Sequence, residues 1–409
     1  MRILYFSPRE CQPANSGARL RDYHLVRCLA RHADVTYLGF ASGEGRDQGS
    51  VWRETLPQAG VESILVRRGS SYTAANLARG LLGPLPVTVR NYLSPLMRQE
   101  LTSLLAERRF DLVQVEGVHL FPYIEAISAS GFHSGKRPLL ICDWHNIESE
   151  LMRRYRESPS TSLPKRCYAR RTETLLRRLE DRLLGSCDGH VVCSAREKEL
   201  LAARSNGARL HVTGNGVDNA YYRGTGASAN ASDLLYAGSM DYHANIDAVL
   251  YFASEVWPLL RTRHAGLGFV IAGSRPTPEV RALAKLSGIT VTGTVEDMRP
   301  YYGKALAVVT PLRIGGGTRL KIIEAMAAGV PVVSTSLGAE GLDIEPETDF
   351  LRADTPEEMA RQVTRLISSA ELRSLLAAAG QRAAAAYDWQ ILGDELYRFY
   401  HALAAAPMQ

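Results

Sequence analysis

The sequence contains no uninterrupted apolar run of about 18 residues, the length that a helix needs to cross a bilayer. It also has none of the paired cysteine and histidine spacings that hold metals, although it has six cysteines. The apolar run within residues 1–8 is too short for a signal peptide and instead predicts a first β-strand. These features predict a cytoplasmic protein with reduced cysteines and no bound metal.

Excess charge is confined to one segment of the chain. The 409 residues carry a net charge of +5, and residues 152–182 alone hold ten Lys or Arg against four Asp or Glu, a net +6. This local basic character predicts no nucleic-acid partner and suggests peripheral contact with an anionic membrane or a polyanionic acceptor. The alternative is a solvated amphipathic helix that packs on the first domain through Leu175, Leu176, Leu179 and Leu183.

The order of apolar runs and helical patterns predicts an α/β protein. A chain of 409 residues is long enough for two domains, and strands that alternate with helices favour parallel sheets. The predicted strands are Ile3–Ser7, Val35–Phe40, Ser63–Val66, Leu112–Val115, Leu139–Cys142, Gly189–Cys193, Leu234–Gly238, Phe269–Gly273, Ile289–Thr292, Ala307–Thr310 and Val332–Thr335. We therefore expect two Rossmann-like domains, 1–213 and 214–387, and a final helix within 388–409.

A glycine-rich turn in the second half is the strongest functional signal. The apolar run Ala307–Thr310 is followed by three glycines, Gly315, Gly316 and Gly317, and then by a helical pattern from Thr318 to Ala328. Consecutive glycines allow backbone N–H groups to approach a ligand at a helix N-terminus, where a phosphate binds well. The turn therefore predicts a phosphate site, with a ligand-free strand–turn–helix unit as the alternative.

Three charged residues follow this turn. Arg319, Lys321 and Glu324 lie in the first two turns of the predicted helix, and Lys321 and Glu324, three residues apart, share a face. Two cations and one carboxylate beside a glycine-rich turn suit a nucleotide diphosphate with its ribose. A solvated helix position remains the alternative for Arg319.

The segment from Pro311 to Val333 resembles the donor-binding signature of retaining, family 4 type nucleotide-sugar glycosyltransferases, which have the GT-B fold. In that family a Glu, seven residues and a second Glu bind the donor. Glu324, followed by Ala-Met-Ala-Ala-Gly, matches the second Glu, whereas Gly316 stands where the first would fall. The resemblance covers most of the second half of the chain and the first half loosely.

This resemblance implies a fold and a reaction. Proteins with the GT-B fold have two Rossmann-like domains that face a cleft, and their last helix crosses back onto the first domain. The implied co-substrate is a nucleotide sugar of the UDP or GDP type, with no other cofactor, and the implied acceptor is a hydroxyl of a glycan or a lipid-linked molecule. Retaining transfer is usually viewed as a front-face displacement that needs neither a metal nor a nucleophilic carboxylate.

The resemblance also implies a set of donor-binding residues. Relatives carry an Arg and a Lys after the first strand of the second domain, where residues 238–245 of this chain offer no strong cation. Arg319 and Lys321 are therefore expected to replace them, while Asn245 is expected to cap the helix that follows. The implied donor-binding residues are Gly17, Gly238, Gly315, Gly316, Gly317, Thr318, Arg319, Lys321 and Glu324. For Gly17, in the loop 13–18, an ordinary strand–helix turn is the alternative.

On the acceptor side, polar residues follow two predicted strands. His119 follows Leu112–Val115, and His145 and Asn146 follow Leu139–Cys142. Side chains at the carboxyl ends of parallel strands face the ligand, so these three residues are acceptor-side candidates. A buried core histidine is the alternative for His119, and a cap or turn residue is the alternative for a role of Asp143. The residues expected to act in catalysis are His119, Arg319 and Lys321.

The predicted function is transfer of a sugar from a nucleotide diphosphate to a hydroxyl in glycan, polysaccharide or glycolipid synthesis. A nicotinamide dehydrogenase is disfavoured because residues 7–17 lack the G-x-G-x-x-G spacing of a dinucleotide site. A sugar-nucleotide epimerase on the same fold and a non-catalytic sugar-nucleotide binder remain alternatives, the latter because of Gly316. The predicted location is the cytoplasm, with possible peripheral contact on the inner face of the membrane.

Overall fold

A computed structural model describes the chain except for residues 15, 42–50, 57–58, 69–72, 74–78, 81, 130–131, 134, 158–160, 227, 229–230, 315–318 and 407–409. Two compact units form. Unit 1 comprises Met1–Gly214 and Leu392–Gln409, and unit 2 comprises Asn215–Ile391. The sequence patterns place the corresponding limits at 1–213 with 388–409, and at 214–387.

Unit 1 is built on an eight-stranded sheet with the order β3-β4-β2-β1-β5-β6-β7-β8. Its strands are β1 (Arg2–Ser7), β2 (Asp34–Ala41), β3 (Val51–Leu56), β4 (Val61–Arg67), β5 (Leu112–Glu116), β6 (Leu139–Trp144), β7 (Gly189–Val192) and β8 (Leu210–Val212). All pairings are parallel except that of β3 with β4. The strand β1 is buried at every position after Arg2 because helices cover both faces of a parallel sheet.

Side chains cap the first turn of some helices of unit 1. Ser94, for example, accepts a hydrogen bond from the Met97 backbone, and Pro95 occupies the first helical position. The helices are α1 (Gly17–Leu29), α2 (Val87–Arg90), α3 (Pro95–Glu107), α4 (Phe121–Ser128), α5 (Glu148–Glu157), α6 (Leu163–Ser186) and α7 (Ala195–Ala202). The four leucines predicted to form the apolar face of α6 are buried.

Unit 2 is built on a six-stranded, all-parallel sheet with the order β11-β10-β9-β12-β13-β14. Its strands are β9 (Asp233–Ala237), β10 (Gly268–Ala272), β11 (Ile289–Gly293), β12 (Ala305–Thr310), β13 (Val332–Ser334) and β14 (Leu351–Arg352). The strand β12 is buried at all of its positions, as the uninterrupted apolar run predicted.

The helices of unit 2 pack on both faces of this sheet. They are α8 (Asn219–Tyr222), α9 (His243–Tyr251), α10 (Trp257–Arg261), α11 (Pro278–Ala282), α12 (Arg299–Lys304), α13 (Leu320–Ala327), α14 (Ser336–Ala339), α15 (Pro356–Ser368) and α16 (Ala370–Ala385). The last helix, α17 (Trp389–Ala405), begins in unit 2. A π-helical turn, Phe252–Val256, joins α9 to α10. From Leu392 onward α17 belongs to unit 1, where the buried Tyr400 donates a hydrogen bond to Gln114 of β5. This confirms the predicted helix that returns to the first domain.

Each sheet has one point at which the order of its strands reverses. In unit 1 this point is β1, which lies between β2 and β5, and in unit 2 it is β9, which lies between β10 and β12. Ligands of doubly wound proteins bind outside the carboxyl ends of the strands at such a reversal. The residues that follow β1, β5, β9 and β12 are therefore the first places to look for a site.

Candidate functional site

In unit 2 the glycine-rich turn leads into α13, which begins at Leu320. The predicted phosphate-binding residues Gly315, Gly316, Gly317 and Thr318 lie outside the described residues. On either side of these four residues, β12 ends at Thr310, and Gly329 ends the helical segment with a φ of 70°. That positive φ is accessible to glycine at little cost, which explains the helix stop seen in the sequence.

Lys321 lies at the start of α13 and points into the unit rather than into solvent. Its Nζ donates to the Tyr236 hydroxyl and to Asn245 Oδ1, each at 2.7 Å, and lies 4.1 Å from the centre of the Tyr236 ring. Burial, followed by the charge of Arg319, lowers the pKa of Lys321 to about 7. An ammonium in this environment binds polar oxygens and an aromatic face but is costly to keep charged. A bound anion would stabilise its protonated form.

Gly238 is the residue immediately beyond β9 and lies against this lysine. A Cβ at position 238 would come within 2.8 Å of Asn245 Nδ2 and 3.3 Å of Lys321 Nζ. Its φ of 154° is also one that residues with side chains rarely adopt. Glycine therefore leaves the backbone beside the ammonium open, so Lys321 stands at the strand end where relatives carry their cations.

The prediction that Asn245 caps a helix was wrong. The helix α9 begins at His243, with Tyr242 in the cap position, so Asn245 lies inside it. Its amide accepts from Lys321 and from the Tyr236 hydroxyl and donates to the Ser239 carbonyl at 2.8 Å. An asparagine inside a helix normally weakens it, but here the side chain is needed to complete a buried polar network.

Arg319 lies just before α13 and is only 5% exposed, so the alternative of a solvated helix residue was wrong. Its Nη2 donates to the Leu337 carbonyl at 3.0 Å. The charge of Arg319 contributes to the lowered pKa of Lys321, which places the two cations in one electrostatic environment. The pair therefore provides concentrated positive potential at the N-terminal end of α13.

Glu324 shares the face of α13 that carries Lys321. Its Oε2 accepts a hydrogen bond from the Tyr302 hydroxyl at 3.3 Å. Burial raises the pKa of Glu324 to about 7, against the opposing effects of Tyr302 and Lys321. A cation and a carboxylate that both titrate near neutrality on one helix face can respond to a ligand by changing protonation.

In unit 1 a buried carboxylate pair lies at the reversal point of the sheet. Glu116 ends β5 and Asp22 lies in α1, and both side chains are fully buried. The Ser7 hydroxyl lies 2.8 Å from Asp22 Oδ2 and 3.0 Å from Glu116 Oε2, and Tyr5 donates to Glu116 Oε1 at 2.6 Å. A single hydroxyl proton cannot serve two carboxylates at once, so the pair needs cations or a further proton.

Arg9 and His145 supply those cations. Arg9 Nη1 donates to Asp22 at 3.2 Å and to Glu116 at 3.0 Å, and His145 Nε2 lies 3.2 Å from Glu116 Oε1. Burial lowers the pKa of His145, but the charge of Glu116 and the hydrogen bonds to both carboxylates raise it overall to about 9. Burial and the neighbouring Asp22 charge raise the pKa of Glu116. His145 is thus an imidazolium at neutral pH.

Spacing along the chain gave no sign of metal ligands, yet the fold brings three together. One ligand atom from each of Asp22, Glu116 and His145 lies within 4.8 Å of the others. Arg9 Nη1 already lies between the two carboxylates, so a cation of the protein occupies the position that a metal would need. The donor set alone fits a divalent ion, but the guanidinium does not fit beside one.

His119 lies in a short 3₁₀ turn after β5, behind Gly117 with its φ of 70°. Its ring contacts the ring of Tyr92 edge-on at a centroid distance of 5.5 Å. Burial, followed by the charges of Arg9 and His145, lowers the pKa of His119 to about 4. Within the described chain its ring nitrogens have no hydrogen-bond partner, unlike those of a satisfied core histidine.

The remaining predicted residues take different places. Gly17 is the first residue of α1, and Asn146 is half-buried in the turn after β6. Asp143 is neither a cap nor a turn residue. It lies within β6, is fully buried and pairs with the buried Arg21 at 3.0 Å. Asp143 is therefore a structural anchor.

Sequence reasoning missed Arg9, Asp22 and Glu116. One signal was present, because Arg9 and Glu116 each stand just beyond the carboxyl end of a predicted strand, Ile3–Ser7 and Leu112–Val115. Asp22 offered none, since its position inside a helix gives no indication of its partner across the chain.

Two family models match the chain. The model described as Glycosyltransferase Family 4 matches residues 23–221, and the model described as Glycosyl transferases group 1 matches residues 231–369. The chain belongs to the family 4 type glycosyltransferases. The family named from the Pro311–Val333 signature is thus confirmed, and the first half, which resembled it only loosely, is matched as well.

Curated relatives of this family member are distant. A phosphatidyl-myo-inositol mannosyltransferase of Propionibacterium freudenreichii subsp. shermanii is 26% identical over 233 residues, 54% of this chain and 58% of that protein. An uncharacterized 44.6 kDa protein in the cps region of Klebsiella pneumoniae is 24% identical over 117 residues, 27% of this chain and 30% of that protein. The chain therefore spans less than two thirds of the length of either relative.

Solved structures show the fold of this family member. Sucrose-phosphate synthase from Thermosynechococcus elongatus matches with a TM-score of 0.70 at 15% identity over 100% of both chains. HepE from Anabaena, solved with UDP and glucose, matches with a TM-score of 0.64 at 13% identity over 98% of this chain and 99% of that one. The predicted GT-B fold is confirmed. Among the described helices, none has both the length and the apolar character required to cross a bilayer.

Proposed function

We propose that this protein is a retaining, metal-independent hexosyltransferase that moves a sugar from a UDP-type or GDP-type donor to a hydroxyl of a glycan or lipid-linked acceptor. The observation that carries the proposal is the position of Lys321, whose ammonium lies against Gly238 at the carboxyl end of β9. This is the strand end at the reversal of the sheet, where doubly wound proteins bind their ligands. The nucleotide sugar is a co-substrate, and no other cofactor is proposed.

The chemistry requires charge stabilisation at the diphosphate. As the sugar leaves, negative charge grows on the phosphate oxygens, and donors already fixed in place stabilise it without reorganisation. In unit 2, Lys321 and Arg319 supply the positive charge that stabilises these oxygens, next to the N-terminus of α13. The glycines at 315–317 are proposed to add backbone N–H groups, and Gly17 to add one from unit 1.

Glu324 is proposed to bind the ribose of the donor. It lies on the helix face of Lys321, and among the described residues only the Tyr302 hydroxyl hydrogen-bonds its Oε2. A carboxylate can accept two hydroxyl protons from a ribose, so the residue acts in binding and not as a base. The raised pKa of Glu324 is consistent with this role, because a ligand that donates hydrogen bonds to the carboxyl group favours its ionised form.

On the acceptor side the proposal uses a neutral imidazole. With a pKa lowered to about 4, His119 has one N–H donor and one bare nitrogen at neutral pH. It can orient the acceptor hydroxyl or bind a donor hydroxyl, while the departing phosphate takes the proton. Asp22 and Glu116 support front-face chemistry indirectly: both carboxylates are fully buried under Arg9, so neither is placed to attack a sugar.

A thermal-shift screen with UDP, GDP and ADP sugars tests this function. A ligand present at a hundred times its Kd stabilises the folded state by about 2.7 kcal/mol, so the correct base should raise the melting temperature clearly above the other two. Release of the free nucleotide from the selected sugar, with retention at its anomeric carbon, then tests the reaction. Absence of a shift with all three bases would contradict the proposal, and turnover without any acceptor into a second nucleotide sugar would identify an epimerase.

A membrane-linked acceptor is proposed for two reasons. The name of the mannosyltransferase relative contains a phosphoinositide, and α6 exposes a basic surface. Several basic residues of 152–182 are neutralised by ion pairs, such as Arg153 with Glu150 and Arg156 with Glu173. The exposed residues that lack an ion pair within the described chain are Lys165, Arg170, Arg171, Arg177 and Arg178.

Apolar side chains protrude beside these cations. Leu163, at the start of α6, is 75% exposed, and Leu82 is 84% exposed. Arg171 Nη2 donates to the Gly83 carbonyl at 3.0 Å, which fixes the segment carrying Leu82 next to α6. Cations that flank protruding leucines are typical of surfaces that lie on anionic lipid. This surface supports the proposal that the protein contacts the inner face of a membrane peripherally.

Reversal of four α6 arginines to glutamate should abolish binding to anionic vesicles. The variant Arg170→Glu, Arg171→Glu, Arg177→Glu and Arg178→Glu removes four cations that each contribute about 1 kcal/mol near such a surface. Wild-type protein should sediment with vesicles that contain phosphatidylserine, not with neutral ones, and less as salt rises. The matched control reverses four exposed arginines elsewhere, Arg31, Arg209, Arg352 and Arg382. Equal loss in both variants, or no sedimentation at low salt, would contradict the membrane surface.

A further inference from the structure

Within the described chain, the Arg9 guanidinium is hydrogen-bonded to other side chains through Nη1 and not through its other two nitrogens. Among the described residues its Nη1 makes the side-chain hydrogen bonds, 3.2 Å to Asp22 Oδ2 and 3.0 Å to Glu116 Oε2, and lies 3.4 Å from Nε2 of the His145 imidazolium, with which it shares the two carboxylates. In the part of the chain that the structure describes, Nε and Nη2 have no hydrogen-bond partner, and the side chain is 26% exposed. Nε and Nη2 form the edge of the fork that binds a planar or tetrahedral oxyanion with two parallel bonds.

The charged groups around Arg9 differ in how exposed they are. Asp22 and Glu116 have no exposed side-chain surface, whereas Arg9 is 26% and His145 is 13% exposed. A molecule that approaches this strand end therefore meets the two cations before it meets the carboxylates. The carboxylates fix the orientation of the guanidinium, so a ligand does not have to order that side chain on binding.

We propose that the outer edge of Arg9 binds an oxyanion, a phosphate or a carboxylate, that belongs to the acceptor substrate. The acceptor role rests on the proposed function, whereas the oxyanion site rests on the geometry alone. The site lies near His119, which follows Glu116, the partner of Arg9, by three residues at the end of β5. The acceptor would then present its hydroxyl to His119 and its anionic group to Arg9, which restricts the substrate class to acidic acceptors.

A metal site at the same residues is less consistent with the structure. A divalent ion between Asp22 and Glu116 would need the position that Arg9 Nη1 takes, and it would require His145 to lose the proton that the two carboxylates stabilise. The guanidinium of Arg9 already neutralises the carboxylates, and its Nε and Nη2 remain available as hydrogen-bond donors. Donor edges bind anions.

Glu148 provides an internal check on this assignment. Burial, followed by the charge of Glu180, raises its pKa to about 7, and the charges of His145 and Arg9 oppose that rise. Glu148 begins α5, three residues after His145. Its negative charge opposes an incoming anion, so Glu148→Gln should strengthen oxyanion binding, and Arg9→Lys should weaken it.

Calorimetric titration of inorganic phosphate into the full-length protein tests the site. Saturating UDP is present, so that the diphosphate site of unit 2 is occupied. Arg9→Lys keeps a cation for Asp22 and Glu116 but removes the second donor edge, and it should weaken phosphate binding about tenfold or more. Arg156→Lys is the matched control, since Arg156 is similarly exposed at 32% and paired with a carboxylate, Glu173. Glucuronate, titrated in the same way, distinguishes a carboxylate ligand from a phosphate ligand.

Three outcomes would overturn the inference. The first is phosphate affinity that Arg9→Lys leaves unchanged in a protein with an unchanged melting temperature. The second is phosphate binding that disappears when UDP is present, which would place the ion at Lys321. The third is a loss of UDP affinity in Arg9→Lys equal to the loss for phosphate, which would assign Arg9 to the donor. If no nucleotide shifts the melting temperature while Arg9-dependent phosphate binding persists, the proposed function fails and the oxyanion site stands.

Discussion

Replacement of Lys321 by methionine should weaken binding of the selected nucleoside diphosphate by about tenfold to a hundredfold. A hydrogen bond to a charged group contributes roughly 1.5–3 kcal/mol, and about 1.4 kcal/mol corresponds to a factor of ten. Methionine has a similar volume and leaves no cavity. The Tyr236 hydroxyl and Asn245 Oδ1 also remain bonded to each other at 2.8 Å. The loss in affinity should therefore come from the missing charge and not from a damaged fold.

Calorimetry with UDP or GDP measures this loss. Lys304→Met is the matched control, because Lys304 is an exposed lysine of the same unit at the end of α12. It should change neither the affinity nor the melting temperature. Unchanged nucleotide affinity in Lys321→Met would show that this lysine serves only the network with Tyr236 and Asn245, and the donor site would have to lie elsewhere.

The same lysine gives the donor site a pH dependence. With a pKa lowered to about 7, Lys321 loses its proton as pH rises through 7, whereas Glu324, raised to about 7, becomes a carboxylate over the same range. Affinity for an intact UDP sugar should therefore be highest near pH 7 and fall on both sides. The diphosphate of such a sugar is a diester and does not itself titrate there. Glu324→Gln should remove the decline on the acid side and leave the decline on the alkaline side.

Lys321 also shows what the sequence could predict about the site. The resemblance implied cations after the first strand of the second domain, and because residues 238–245 have no strong cation, Arg319 and Lys321 were expected to supply the charge from another loop. The structure places the ammonium of Lys321 against Gly238, where that expectation requires it. Its role in binding stays a prediction, as do the roles of Gly315, Gly316, Gly317 and Thr318.

The fold was predictable because its signals are local. Buried parallel strands appear as continuous apolar runs, and β1, β9 and β12 were placed from such runs alone. The strand β3 was missed because it is antiparallel, lies at the edge of the sheet and has three exposed residues in its centre. An edge strand has neither the apolar run nor a strict alternation, so its partner in the sheet determines its structure.

The buried charges were not predictable, because their partners are distant in sequence. Arg9 meets Glu116 across 107 residues, and Arg21 meets Asp143 across 122. Nothing in the local pattern of α1 distinguishes Arg21, which is fully buried, from a surface arginine of an amphipathic helix. Periodicity reports which face of a helix is apolar, but it does not report which charged group is compensated inside the core.

Replacement of Arg21 by methionine should destabilise unit 1 by about 3–5 kcal/mol, the cost of leaving a buried charge without its partner. Arg21 donates to both Asp143 oxygens and to the carbonyls of Thr213 and Gly214, each carbonyl at 2.9 Å. Without it, Asp143 retains Gln114 Nε2, at 3.1 Å, as its one side-chain partner in the part of the chain that the structure describes. The two units can unfold separately, so a single melting curve would not measure this change.

Hydrogen exchange, followed peptide by peptide, measures the loss of stability in unit 1 instead. Peptides from β5 and β6 should lose protection in Arg21→Met, whereas peptides from β9 in unit 2 should keep theirs and serve as an internal control. Arg137→Met is the matched control, because Arg137 pairs with Asp188 at 2.7 Å but is 39% exposed. Such a surface pair contributes about 1 kcal/mol or less. The double variant Arg21→Met with Asp143→Asn should recover part of the loss, because it removes the uncompensated charge. If the double variant were as unstable as the sum of the two single variants, the lost packing of the arginine, and not the charge of Asp143, would be the cause.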